Sequence, residues 1–292
     1  MTGRGRAVWR FEAIGTRWEI ETAEPLDPAA RAAASAVIDR FDREWSRFRD
    51  DSLIARLARD GGSVPAPADA ADMLTAYAAL TDATGGAVDP LVGDALAHRG
   101  YDATYTLVDR GALAAPGDWR SRLTWDEGVL RLAGPATIDV GALGKGRLVD
   151  LVCAALEPWA GGDLVVDAGG DLAVRGPAQR IGLEHPYDPS RAVGVWEVTD
   201  AALCASAVNR RAWGERLHHV LDARTGEPVR TIAATWAVAS TAMRADAIAT
   251  ALFFRGGEQL AAAWQVAWVR MGTDGTVDWS PGCPAEVFTG SR

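Results

Sequence analysis

A glycine-rich segment with one lysine is the part of the sequence best suited to hold a phosphate. Its key residues fall within six positions: Gly141, Gly144, Lys145 and Gly146. Glycine backbone N–H groups can approach a phosphate closely, and a helix N-terminus favours an anion. The apolar run 137–140 predicts a strand before the loop, and the pattern after it predicts a helix. The alternative is a turn with a solvated lysine, because the spacing matches neither the dinucleotide fingerprint nor the P-loop.

A carboxylate and a hydroxyl one helical turn apart form the second candidate. Asp246 and Thr250 lie in the alanine-rich stretch 245–252, and residues four apart share one helix face. These are hard oxygen ligands that suit Mg²⁺, and a buried carboxylate needs a cation or a donor. The alternative is that Asp246 only caps its helix or pairs with Arg244.

A histidine in an apolar stretch is the third candidate. His219 is one of four histidines, and it precedes a turn that carries Asp222 and Arg224. A histidine so placed can act as a general base near neutral pH, or it can be a satisfied structural residue. A weaker candidate for the edge of a ligand site is the loop at Asp89-Pro90, where the proline biases Asp89 toward an extended backbone.

Helices and strands in irregular alternation must position these groups. Residues 7–22 predict one or two strands around a turn, and short strands recur from about 123 to 239. Capping residues place the helix starts, and a loop is predicted at 61–67 between the second and third helices. The predicted starts are Asp27-Pro28, Asp51-Ser52, about Asp69, the glycine loop and about Ala242. This order favours a mixed α/β fold over a doubly wound one. Since no linker divides the chain, we expect one domain over residues 1–292.

The composition narrows the class of partner. The net charge is −9 and no basic tract is present, so nucleic acid is not expected as the main partner. The three cysteines lack a metal-binding spacing. The first ten residues contain no apolar leader and no lipid-anchoring cysteine, and no segment approaches the roughly 20 apolar residues that cross a bilayer. We therefore expect a cytoplasmic protein without membrane insertion.

Seven short motifs, in the same order, resemble the ApbE family of FAD:protein FMN transferases, also called flavin transferases. The match spans about residues 14–254 and includes all four candidates. The motifs are Ile14-Gly15-Thr16, Val88-Asp89-Pro90-Leu91-Val92-Gly93, Asp139-Val140-Gly141-Ala142-Leu143-Gly144-Lys145-Gly146-Arg147, Gly169-Gly170-Asp171, Ala205-Ser206-Ala207, His219-Val220-Leu221-Asp222-Ala223-Arg224-Thr225-Gly226 and Ala245-Asp246-Ala247-Ile248-Ala249-Thr250-Ala251-Leu252.

The resemblance implies a fold, a reaction and a cofactor. The fold would be ApbE-like, with mixed sheets and packed helices. The protein would bind FAD with Mg²⁺, cleave the pyrophosphate, attach FMN to a Thr or Ser hydroxyl of an acceptor protein and release AMP. Two other functions stay open, namely an FAD pyrophosphatase, in which water replaces the protein hydroxyl, and a flavin-binding protein without catalysis.

The resemblance also assigns roles to residues. The histidine of the motif corresponds to His219 and its turn acid to Asp222. The metal would be held by Asp246 and Thr250 and by the carbonyls of Gly144 and Ala249. The flavin contacts would be Ile14, Phe48, Ala87, Val88, Asp89, Gly141, Lys145, Arg147 and Val220.

The sequence departs from the family pattern at several of these places. Gly144 stands where the family has alanine, and Arg147 where it has tyrosine. Ala223 replaces the proline of the histidine turn. Ala207 and Asn209 replace a glycine and an aromatic residue. Gly144 keeps the carbonyl that the metal would use, whereas Arg147 puts a charge where the family has a ring at a flavin contact.

Overall fold

The computed structural model describes residues 5–288. The first four residues of the N-terminal stretch used for the localisation prediction lie outside that range, as do both ends of the predicted domain. The described helices are α1 Pro28–Trp45, α2 Leu53–Asp60, α3 Ala70–Thr84, α4 Gly93–His98, α5 Trp119–Arg122, α6 Gly144–Ala160, α7 Ala242–Ala251 and α8 Gly257–Ala263. The described strands are β1 Ala7–Ala13, β2 Thr16–Thr22, β3 Gly62–Pro65, β4 Leu123–Asp126, β5 Val129–Leu132, β6 Leu164–Asp167, β7 Asp171–Arg175, β8 Gln179–His185, β9 Asp188–Val198, β10 Ala202–Ala207, β11 Ala212–Trp213, β12 Leu217–His218, β13 Leu221–Asp222, β14 Glu227–Pro228, β15 Ile232–Ala239, β16 Ala267–Gly272, β17 Val277–Trp279 and β18 Glu286–Val287.

One long antiparallel sheet carries the fold. Its strand order is β1-β2-β6-β7-β10-β15-β16-β17. Successive side chains of a strand point to opposite faces of the sheet, so each central strand contributes side chains to two hydrophobic cores. In β10, Ala202 and Cys204 pack with the helices, whereas Leu203 packs with the β8–β9 hairpin. The sheet is therefore covered by helices on one face and by a small sheet on the other, and the mixed α/β prediction is confirmed.

Local capping residues start the helices where the sequence predicts. Asp27 accepts a hydrogen bond from the Ala30 N–H at 2.7 Å, and Ser52 accepts one from the Ala55 N–H at 3.0 Å. Gly85 ends α3 in the left-handed region, with φ of +61°. No described helix is long and apolar enough to cross a membrane.

Two predictions of local structure are wrong. The stretch 61–67 is not all loop, because Gly62–Pro65 forms β3 and pairs with β5. The run 137–140 forms no strand, because its polar backbone groups bind other loops. The Thr137 N–H donates to the Asp94 carboxylate at 3.1 Å. The Asp139 N–H donates to the Pro90 carbonyl at 2.8 Å.

Candidate active site

The glycine loop and the late helix meet at a point where only glycine fits. The Gly146 N–H, in the first turn of α6, donates to Oδ2 of Asp246 on α7 at 2.9 Å. A Cβ added at Gly146 would lie 2.2 Å from the Ala242 carbonyl oxygen and 2.7 Å from Cβ of Asp246. The two helices therefore approach closely enough for the backbone of one to bind the carboxylate of the other.

Asp150 holds the same two helices together one turn further along α6. Its Oδ1 accepts from the Ala242 N–H at 2.7 Å, and its Oδ2 accepts from the Met243 N–H at 2.9 Å. These N–H groups begin α7 and have no partner within their own helix. Asp150 thereby fixes the start of the helix that carries Asp246.

A buried cluster of two carboxylates and one ammonium lies beneath the glycine loop. Lys145 forms an ion pair with Asp171, which is fully buried at the start of β7. Apart from this ion pair, neither oxygen of Asp171 has a hydrogen-bond partner among residues 5–288. Burial, and then the charge of Asp171, raises the pKa of Asp246 well above its usual range. Burial opposes the charge of Lys145, but the two carboxylates outweigh it and raise its pKa.

This cluster favours a bound cation. When both carboxylates are ionised, the ammonium of Lys145 is the only cation that forms a described ion pair with either of them. A buried charge is costly without a partner, and carboxylate oxygens prefer a hard cation. The buried oxygens of Asp171 and the raised pKa of Asp246 both show carboxylates whose charged form a cation would stabilise.

Main-chain hydrogen bonds join three loops around the cluster. The Asp139 N–H of the glycine loop donates to the Pro90 carbonyl at 2.8 Å, and the Ala223 N–H of the histidine turn donates to the Ala87 carbonyl at 2.9 Å. Asp89, between these two contacts, accepts from the Leu91 N–H at 2.7 Å. Burial raises the pKa of Asp89 to about 6.

His219 is held as a neutral ring beside positive charges. Burial, and then the nearby Arg211, lowers its pKa to about 3, and Lys145 contributes in the same direction. Its Nδ1 is buried and has no hydrogen-bond partner among the described residues. A neutral imidazole with an unpartnered ring nitrogen can accept a hydrogen bond from a bound hydroxyl, and a negative phosphate beside it would offset the positive charges that lower its pKa.

Asp222 is engaged within its own turn. Its carboxylate bonds the Arg224 guanidinium at 2.6 and 2.9 Å and accepts from the Arg224 N–H at 3.0 Å. No hydrogen bond joins Asp222 to His219 in the described structure. The two predicted catalytic residues therefore share a turn, but the acid does not orient the imidazole.

An aromatic cluster with a buried arginine borders the glycine loop. Arg47 donates to Asp139 at 2.5 Å and to the Tyr101 carbonyl at 2.7 Å. Its guanidinium lies 4.2 Å from the ring centroid of Phe48, a predicted flavin contact. Tyr105 stacks on Phe48, and its hydroxyl lies 3.7 Å from where a Cβ of Gly15 would be. This places the rings beside Ile14, another predicted flavin contact, at the β1–β2 turn.

Comparison with known proteins decides the family. The profile described as the ApbE family matches residues 14–269. The chain belongs to the ApbE family.

Curated relatives and solved structures agree with this membership. An FAD:protein FMN transferase of Klebsiella pneumoniae is 26% identical, over 85% of this chain and 78% of its own. One from Rhodobacter capsulatus is 28% identical over 93% of this chain, which spans only 56% of that relative. A crystal structure of the ApbE protein from Thermotoga maritima aligns with a TM-score of 0.81 at 20% identity, covering 94% of this chain and 97% of that one. The last likeness confirms the ApbE-like fold.

Two departures from the ApbE pattern have a structural explanation. Arg147 of α6 forms an ion pair at 2.7 Å with Asp69 at the start of α3, so its positive charge links these two helices. It lies two residues from Lys145 on α6, and residues two apart do not face the same way. Its predicted flavin contact therefore gains no support from the geometry. Ala223 supplies the N–H that bonds Ala87, and the proline expected there has no N–H to give.

The remaining predicted contacts lie in the same ApbE-family loops. Val88 donates its N–H to Thr84, and Val220 is buried beside His219. Gly141 donates to Asp139 at 2.7 Å, so this N–H is already bonded. Each of these residues borders one of the three joined loops, and their role in flavin binding stays a prediction.

The predicted metal ligands form an all-oxygen set that suits Mg²⁺. Asp246 and Thr250 lie one turn apart on α7, the former buried and the latter half-buried. The Ala249 carbonyl already accepts from the Thr235 hydroxyl at 2.6 Å, which leaves it one lone pair. Gly144 begins α6, and a Cβ there would meet Val140 at 2.8 Å. No group of three or more His, Cys, Asp or Glu residues able to hold a metal occurs within residues 5–288, so any such site must draw on hydroxyl, carbonyl or ligand oxygens.

Sequence reasoning missed three residues of this site. Asp171 stands inside a motif that suggested only a turn, and its burial beside Lys145 depends on strand pairing. Asp150 and Arg47 carry no motif, because their partners are distant in the chain. A charged residue in the apolar face of a helix, as Asp150 is in α6, was the one available signal.

Proposed function

We propose that the chain transfers FMN from FAD to a Thr or Ser hydroxyl of an acceptor protein, with Mg²⁺ as its cofactor. The observation that carries the proposal is the buried Lys145, Asp171 and Asp246 cluster beneath the glycine loop. Two buried carboxylates that share one ion-paired ammonium, beside a loop able to bind phosphate, suit a pyrophosphate with a divalent cation. The FAD:protein FMN transferases among its relatives support the same reaction.

The proposed reaction changes the bonds at one phosphorus atom, and two residues of this chain take part in it. The acceptor hydroxyl oxygen bonds the phosphorus of the FMN half, and the bond from that phosphorus to the oxygen of AMP breaks. Neutral His219 takes the proton from the hydroxyl. Lys145 binds the negative pyrophosphate, and AMP leaves with the bridging oxygen. The Mg²⁺ ion, when bound, would stabilise the charge that develops on the phosphate oxygens.

The test is to incubate the protein with FAD, Mg²⁺ and a candidate acceptor domain, and then to measure the mass of the acceptor. The expected result is an acceptor heavier by one FMN residue, with AMP released in equal amount. Release of FMN and AMP without acceptor modification would indicate an FAD pyrophosphatase instead. FAD that is retained intact in Mg²⁺ would indicate a binding protein without catalysis.

A further inference from the structure

Arg211 is a half-buried arginine on the segment that precedes His219 in the chain. The next residue, Ala212, pairs with His218 in the short ladder between β11 and β12, so the backbone holds Arg211 close to the histidine turn. The guanidinium carbon of Arg211 lies 5.9 Å from the ring centroid of Tyr101. The side chain therefore lies at the candidate active site, although no sequence motif marked it.

The ladder that carries Arg211 is anchored in the core. Trp213 pairs with Leu217, and both are buried. The Trp213 indole N–H donates to the Arg99 carbonyl at 2.9 Å, and its ring stacks on Tyr101 with the centroids 5.4 Å apart. The position of Arg211 is thus fixed by buried neighbours on both sides of the ladder.

The guanidinium of Arg211 has no described partner of opposite charge. Among residues 5–288 its side chain forms no ion pair and donates no hydrogen bond. The adjacent Arg210, by contrast, forms an ion pair at 3.1 Å with Glu184 on β8. Of these two neighbouring arginines, one is therefore engaged within the protein and the other has all its donors free for a ligand.

The charge of Arg211 acts on groups that belong to three separate segments of the site. Burial raises the pKa of Tyr101 and of Asp246 and lowers that of His219, and the charge of Arg211 lowers all three. Lys145, on α6, acts on His219 and Asp246 in the same direction. Two cations from different segments thus act on the same space, and an anion bound there would meet both.

We infer that Arg211 is a further catalytic residue, which binds the pyrophosphate of FAD from the side of His219. The inference rests on the proposed function. A guanidinium presents its N–H donors in a planar fork that matches two phosphate oxygens. Charge develops on those oxygens while the bond to the oxygen of AMP breaks, so Arg211 stabilises the transition state more than it stabilises bound FAD.

The test compares Arg211→Gln and Arg211→Lys with Arg210→Gln, a matched control whose guanidinium is already paired with Glu184. Acceptor mass gives kcat and KM for transfer, calorimetry gives FAD affinity, and thermal unfolding without ligand confirms that each variant folds. Arg211→Gln is expected to lower kcat by roughly 10²- to 10³-fold, the cost of removing one donor from a developing charge. FAD affinity falls by a smaller factor. Arg211→Lys, which keeps the charge without the fork, lies between, and Arg210→Gln matches the wild type.

The split between kcat and KM distinguishes this role from others. Equal kcat in Arg211→Gln and Arg210→Gln, while the wild type transfers FMN, would overturn the inference alone. An unchanged kcat with a higher KM for the acceptor would place Arg211 against the acceptor protein and would also overturn it. So would equal losses of rate in both Arg211 variants accompanied by lower melting temperatures, which would show a structural role. Failure of the wild type to release AMP from FAD with the acceptor present would overturn the proposed function together with the inference.

Discussion

His219 shows how the surroundings of one residue set its chemistry. Burial and the neighbouring Arg211 keep the ring neutral, with a pKa of about 3, and leave Nδ1 without a partner. The sequence predicted a histidine before a turn, but not the positive neighbours, because Arg211 lies on a different segment. The sequence pattern therefore identified His219 as a candidate but could not predict the protonation state of its ring.

Replacing His219 with alanine is expected to separate binding from transfer. FAD affinity should stay within a few-fold, because the pyrophosphate partners remain. The rate of FMN transfer should fall by about 10²–10⁴, the usual effect of removing a general base. Calorimetry and acceptor mass measure the two quantities, and His185→Ala on the β8–β9 hairpin is the control. Transfer at the wild-type rate would leave His219 only a packing role.

Asp89 is expected to make stability depend on pH. Its folded pKa of about 6 exceeds the ordinary 3.8, so the native state binds more protons than the unfolded state between those values. Its contribution to the free energy of unfolding therefore falls as pH rises from about 4 to about 6. Asp89→Asn keeps the oxygen that accepts from Leu91 and removes the titration.

Urea unfolding of wild type and Asp89→Asn at several pH values measures this effect. The stability of the variant relative to wild type should rise by roughly 1–3 kcal/mol between pH 4 and pH 7, since one pKa unit corresponds to 1.36 kcal/mol. Parallel stability profiles of the two proteins would contradict the burial of Asp89 as a charged group.

At the scale of elements, the sequence predicted what depends on neighbours in the chain. The starts of α1 and α2 are correct because Asp27 and Ser52 cap them locally. The strand predicted at 137–140 is wrong because its hydrogen bonds go to Pro90 and Asp94, which no local pattern shows. Helix positions could be predicted, but the bonds between loops that assemble the site could not.

Asp150→Ala is expected to loosen α6 from α7. It removes the acceptors of the Ala242 and Met243 N–H groups, and loss of a helix cap costs about 0.5–2 kcal/mol. Denaturant unfolding should show this loss. Asp150→Asn, which retains one acceptor oxygen, should recover part of it. Asp27→Ala at the start of α1 is the control for a cap remote from α7. Equal metal affinity in Asp150→Ala and Asp27→Ala would show that Asp150 stabilises the fold without positioning Asp246.

At the scale of the whole molecule, residues from both halves of the chain converge on one site. The long sheet joins β1 near the N-terminus to β17 near the C-terminus, and the glycine loop lies between them in sequence. Ligands that bridge α6 and α7 should therefore stabilise the entire fold. The prediction of one domain over residues 1–292 stays a prediction, and a single cooperative unfolding transition would support it.

FAD with Mg²⁺ is expected to raise the melting temperature. A ligand at 100 times its Kd adds about 2.7 kcal/mol to the free energy of unfolding. EDTA should remove the part of this increase in melting temperature that depends on the metal. Asp246→Asn should reduce the shift given by Mg²⁺, because it loses the charge and keeps the shape. Differential scanning calorimetry measures the melting temperature in each of these conditions, and a shift independent of both EDTA and Asp246 would exclude this helix as the metal site.

The bonds that join the three loops have a consequence for how the protein can evolve. The Asp139–Pro90 and Ala223–Ala87 contacts use main-chain atoms, which every residue except proline supplies as donors. Side chains at these positions can change during evolution while the main-chain bonds between the loops persist. Such drift is consistent with a fold kept at a TM-score of 0.81 and only 20% identity. The proline that the family pattern has at Ala223 lacks that donor, so relatives that carry it must join these two loops in another way.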